Sequence, residues 1–213
     1  MRELFQPDSL LIRFLTRLCD LILLNLALVF LCFTVAGSGA ALTAVYGMTL
    51  KMVRREDGEI VKGFLAGLKD GFTASTPATI LLLLDVMLLA VIHRALYAEV
   101  LMFSPAVFVL ICLVAAMLTA VLTYLFPLLG RYENPFPVQL RNAARLAISN
   151  LPKTLLMTVM NLLPFLSVTF FPADMGYLIC LWALIGLAAV AYLNSFILRK
   201  MFDHFESTHE SDI

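Results

Sequence analysis

Residues Val100–Gly130, VLMFSPAVFVLICLVAAMLTAVLTYLFPLLG, run for 31 positions without a charged side chain. A bilayer core of ~30 Å is crossed by ~20 apolar helical residues, so this stretch alone reads as a membrane span. Further uncharged runs cover Leu21–Leu50, Thr154–Ala173 and Met175–Leu198, and the run Ala78–Ile92 is broken only by Asp85. The whole chain, 213 residues, is 62% apolar and 14% charged, with a mean hydropathy of +0.94. That composition excludes a soluble globule. The expected fold is all-α: a polytopic helical membrane protein of about five transmembrane helices with two or three interfacial amphipathic helices.

Fifteen Lys+Arg balance fifteen Asp+Glu, so no net field points to nucleic acid, and the positions of the charges carry the information. Residues 1–20 read as an amphipathic lead-in, with Leu10, Leu11, Phe14, Leu15 and Leu18 alternating with Arg13, Arg17 and Asp20. A single domain over 21–198 follows, with spans at about 21–48, 73–92, 101–129, 153–171 and 176–198. Residues 199–213 form a polar, frayed cytoplasmic tail. Between spans, 60–72 and 138–151 read as surface amphipathic helices. A cleaved signal is not expected, because the first apolar run continues to Leu50.

Gly37, Ser38 and Gly39 divide that first run into pieces of about 16 residues, ~24 Å each. Two layouts follow. One broken span gives five crossings and leaves Arg2, Arg13 and Arg17 outside. A re-entrant hairpin instead puts the N-terminus on the same side as the long loops and leaves only Arg94 opposite. The five-span layout is the expectation. In either, the positive-inside rule makes the long loops and the C-terminus cytoplasmic.

An internal duplication is suggested by an offset of 76, which aligns Phe64, Lys69 and Asp85 with Leu140, Arg145 and Asn161. The two units would share orientation, a parallel repeat.

Asp85 is the sharpest candidate, since a mid-span carboxylate costs ~2.5–3.5 kcal/mol on insertion scales. It is either a proton or cation site or an acid hydrogen-bonded to another helix, with Asn161, Asn194, Tyr124, Thr119 or Thr123 as partners. Asn25, Asn161 and Asn194 with Ser195 line a solute path or join helices by hydrogen bonds. The glycines at 37 and 39 open a break whose exposed amides coordinate a ligand, or simply permit close helix approach. Lys62, Lys69, Arg141 and Arg145 contact anionic headgroups or a cytosolic partner, or simply anchor the loops. Cys19, Cys32, Cys112 and Cys180 lack metal or disulfide spacing. HExxH, GxSxG, GxxxxGK[ST] and GxGxxG are missing from the chain, so no enzyme activity, metal or cofactor is expected.

Several short motifs carry a resemblance: Leu24-Asn25-Leu26, Gly39-Ala-Ala-Leu-Thr-Ala-Val-Tyr46, Gly63-Phe64 and Lys69-Asp-Gly-Phe72. Further on come Leu140-Arg-Asn142-Ala-Ala-Arg-Leu-Ala and Asn150-Leu-Pro-Lys-Thr-Leu155. In this order they resemble the YesL-like family of bacterial integral membrane proteins, over about Phe5–Asp203. The resemblance implies a bacterial plasma membrane and association with carbohydrate ABC importer permeases, and it carries over no catalytic residues. At Asp70-Gly71 the chain departs from the Asn expected before the Phe. An accessory partner of a sugar importer is therefore the leading expectation. The rival is an independent small-solute or ion-coupled carrier using Asp85 and Asn161.

Overall fold

The computed structural model describes residues 10–56, 58–97 and 104–210, and every regular element among them is helical. The helices are α1 (Leu10–Cys32), α2 (Ser38–Arg54), α3 (Ile60–Tyr97), α4 (Pro105–Leu129), α5 (Phe136–Ser149), α6 (Leu151–Phe170), α7 (Met175–Leu181) and α8 (Leu187–Glu210). Five helical stretches are long and apolar enough to cross a membrane: Phe14–Cys32, Ile60–Tyr97, Pro105–Leu129, Leu151–Phe170 and Pro172–Asp203. Their outward faces carry large apolar side chains such as Phe30, Ile80, Leu113 and Leu155. Such a surface is stable only against hydrocarbon.

The expected first span, 21–48, is instead two helices. The chain stops at Cys32, makes a 3₁₀ turn at Val35–Gly37 and starts again at Ser38. It then comes back to the end where it began, because Ile12 and Thr16 line one groove with Met52 and Val53. Helices α1 and α2 are thus antiparallel arms joined at the Val35–Gly37 turn. This is the hairpin layout. It also brings α1's first turns to the end where Arg199 of α8 donates to the Val53 carbonyl at 3.1 Å.

Helix α2 is the centre of the bundle. Thirteen of its seventeen residues are buried, and α3, α8, α1 and α4 all pack on it. The closest fit is with α3, whose Gly63, Gly67, Gly71, Ser75 and Thr79 recur every fourth residue. A Cβ at Gly67 would sit 3.5 Å from Ala44 and one at Gly71 3.4 Å from Thr43, while Gly39 lies against Thr79 and Ser75. Small residues at this spacing let two backbones approach closely.

The expected surface helix 60–72 is thus the beginning of α3, continuous with the span. At 38 residues α3 is about 57 Å long. Its uncharged part, 71–93 apart from Asp85, suffices for the bilayer, and the turns bearing Lys62, Lys69 and Asp70 extend beyond it. Likewise 10–20 is the first half of α1, and the tail continues α8 to Glu210. Residues 1–9, 101–103 and 211–213 of the expected elements lie outside the described residues. Only α5 stands apart as an amphipathic helix, burying Gln139, Ala143, Leu146 and Ala147 and exposing Arg141 and Arg145.

Helix boundaries recur near the offset read from the sequence: α5 begins 76 residues after α3, and α4 ends 75 after α2. Where α3 is one continuous helix, the corresponding stretch is divided at Asn150 into α5 and α6.

Candidate functional site

Polar side chains from five helices meet inside the bundle. Asp85 on α3 is 4% exposed, and its Oδ2 accepts from the Thr119 hydroxyl on α4 at 2.9 Å. That hydroxyl also lies 3.0 Å from the Ala115 carbonyl, so one proton serves two acceptors. One turn along, the Thr123 hydroxyl donates to the Thr119 carbonyl at 2.8 Å and accepts from Asn161 Nδ2 on α6 at 2.7 Å. Asn161 Oδ1 then accepts from Asn194 Nδ2 on α8 at 3.0 Å. Tyr46 of α2 closes the group through longer contacts, 3.4 Å to Asn194 and 3.5 Å to Asn161. Close by, the hydroxyls of Thr49 and Ser195 pair at 2.9 Å.

Asp85, Asn161 and Asn194 therefore belong to one seam, with Thr119 as the acid's partner. Two buried acceptors on it, Asp85 Oδ1 and Asn194 Oδ1, have no donor among the described residues. In a bilayer interior an unsatisfied polar atom is costly, so these two oxygens are the seam's unspent chemistry. Tyr46 was not read as a candidate from the sequence; its position in an uncharged run of small residues was the available signal.

Two candidates lie elsewhere. Tyr124 pairs with Thr154 at 2.8 Å and approaches Met201 Sδ at 3.9 Å, tying α4 to α6 and α8. Asn25 works at a π-helical turn, Trp182–Gly186, that joins α7 to α8. Its Nδ2 donates to the carbonyls of Trp182 and Ala183 at 3.0 and 2.6 Å. Its Oδ1 accepts from the Ala188 N–H at 2.8 Å. A π turn leaves backbone groups out of the i→i−4 ladder, and one carboxamide here replaces the missing partners.

The glycine break turns the chain and admits a close helix approach. Gly37 ends the 3₁₀ turn that reverses the chain, and Gly39 lets the first turn of α2 meet α3. Lys62, Lys69, Arg141 and Arg145 are all exposed, and Lys62 pairs with Glu59 at 2.7 Å.

These features define a multi-pass α-helical membrane protein with a polar seam in its interior. Residues 21–92, about a third of the chain, match the model of a family described as protein of unknown function, DUF624. The matched part runs from α1 through α2 to Ile92 of α3, in agreement with the YesL-like resemblance. No curated protein matches the chain, and no solved structure does.

Proposed function

We propose that the chain acts by association, as a non-enzymatic accessory or regulatory partner of a membrane transport complex, with its basic end in the cytosol. The observation that supports this reading is the charge asymmetry. Lys51, Arg54, Arg55, Lys62, Lys69, Arg131, Arg141, Arg145, Lys153, Arg199 and Lys200 belong to one end and Arg94 to the other. The positive-inside rule makes the first end cytoplasmic. There, α3 exposes Lys62 and Lys69 and α5 exposes Arg141 and Arg145, cations suited to acidic protein surfaces. The family resemblance suggests the partner, the permease of a carbohydrate ABC importer in a bacterial plasma membrane.

Purification of the tagged protein in mild detergent at native expression, with mass spectrometry of what co-elutes, tests this. A permease should co-elute with wild type and be lost from a Lys62→Glu/Lys69→Glu/Arg141→Glu/Arg145→Glu variant of unchanged melting temperature. Wild type eluting alone counts against the reading.

The unpartnered Asp85 Oδ1 supports a second reading, an ion-coupled carrier. In proteoliposomes Asp85→Asn should then abolish solute flux, and retained flux ends that reading.

A further inference from the structure

Between α2, the first half of α3 and the turn after α4 lies a cleft of about 560 Å³, inside the ~300–1,000 Å³ range of small-molecule sites. Five of the chain's ten glycines, Gly47, Gly63, Gly67, Gly71 and Gly130, line it, with Ala66 and Ala74 beside them. Larger side chains there would fill the space, so backbone itself forms much of the floor. Lys51, Asp70, Glu133 and Asn134 also line the cleft and are exposed. A rim of that kind stands in water, beyond the hydrocarbon.

Small residues alone make a packing face. The inner wall adds a polar group without a role in packing. Thr43 lines the cleft and is 2% exposed, and its buried hydroxyl has no hydrogen-bond partner among the described residues. The hydroxyls of Thr49, Thr79, Thr119 and Thr123 all bond back to a carbonyl of their own helix. That of Thr43 does not, which leaves one donor and one acceptor at the cleft wall.

Charge around the cleft is balanced, Lys51 and Arg131 against Asp70 and Glu133. Arg131 is already stacked on the rings of Tyr132 and Phe202, 5.4 Å from each centroid. Such a set selects neither an anion nor a cation. It offers donors and acceptors together: the Lys51 ammonium and the Asn134 amide donate, the Asp70 and Glu133 carboxylates accept, and Thr43 does both. A hydroxyl is the ligand group that answers this mixture, because it too donates and accepts. We propose that this cleft binds a small, uncharged, polyhydroxylated solute from the aqueous phase at the basic end, with one ligand hydroxyl paired to Thr43 Oγ1. The site is separate from the polar seam and independent of any transport partner.

Isothermal titration of the full chain, purified in a detergent without a sugar headgroup, against glucose, sorbitol, glucose phosphate and octyl glucoside is the test. Wild type should bind glucose or sorbitol, and glucose phosphate no more tightly. Thr43→Val keeps the side-chain shape and deletes the hydroxyl. It should weaken binding roughly tenfold, the scale of one lost hydrogen bond in a buried site. Its melting temperature should stay equal or rise, because a buried polar atom without a partner is removed. Ala66→Leu should close the cleft and abolish binding at an unchanged melting temperature. Thr158→Val removes another unpartnered buried hydroxyl, one that does not line the cleft, and should leave affinity unchanged. Four results would each overturn the proposal: no binding of glucose or sorbitol by wild type, tighter binding of glucose phosphate, wild-type affinity in Thr43→Val, or binding of octyl glucoside alone, which would assign the cleft to a lipid headgroup.

Discussion

Asn25 shows how much one side chain settles. Its carboxamide makes three bonds to a neighbouring helix's backbone, so removing it strands two carbonyls and an N–H where water is scarce. Asn25→Ala should destabilise the protein by about 3 kcal/mol, since each buried group left unsatisfied costs about 1–3 kcal/mol. Thermal unfolding in detergent would measure this. Trp182, the single tryptophan, sits at that turn and donates to Ser167 at 2.9 Å, so its emission should shift with the same variant. Within the seam, a double-mutant cycle of Asn161→Ala and Thr123→Ala should return a coupling of about 0.6–1.7 kcal/mol, the range of interhelical hydrogen bonds in membranes. Asp85→Asn should keep the fold, because an amide oxygen still accepts from Thr119.

The element that matters most is the pair α2 and α3. Along α3 the small residues at 63, 67, 71, 75 and 79 form the contact face, and the room at each differs. Gly67→Ala places its methyl at ordinary contact distance from Ala44. It should be neutral or stabilising by up to about 1 kcal/mol through helix propensity. Gly39→Ala drives a methyl into Thr79 and the Ser75 carbonyl and should lower the melting temperature. If both variants melted alike, close packing would not be what fixes this pair. The stripe was present in the sequence, yet 60–72 read as a surface helix. Phe64 and Leu68 supply an apolar face and Lys62, Lys69 and Asp70 a polar one, which is also the pattern of a helix lying on a membrane.

For the molecule as a whole, the hairpin returns α2 to the end where α1 begins, beside α8. Arg54 pairs there with Asp203, and Arg199 lies 3.7 Å from the same acid. Tags at the two termini should be accessible from one side of the membrane. With Cys19, Cys32, Cys112 and Cys180 replaced, Arg141→Cys should label from that side and Arg94→Cys from the other. Opposite labelling of the two termini would mean five crossings and refute the hairpin. Asp85 and Asn161, aligned by the offset of 76 in the sequence, are joined through Thr119 and Thr123.

Hydropathy and charge position by themselves determined that this is a helical membrane protein, where most of its spans lie and which end is basic. These are properties of single residues against a solvent of known thickness, so no partner need be known. Only the tertiary structure decided that residues 21–48 turn back, that α2 is enclosed, and that Asp85 reaches Thr119 while Asn25 repairs a π turn. Helix α2 escaped the sequence reading because its Gly, Ser, Thr and Tyr are buried against protein rather than lipid. The polar pairings escaped it because partners such as Asn25 and Ala188 stand 163 positions apart. Several hydroxyls and amides were available to each of them, and helix packing alone made the choice.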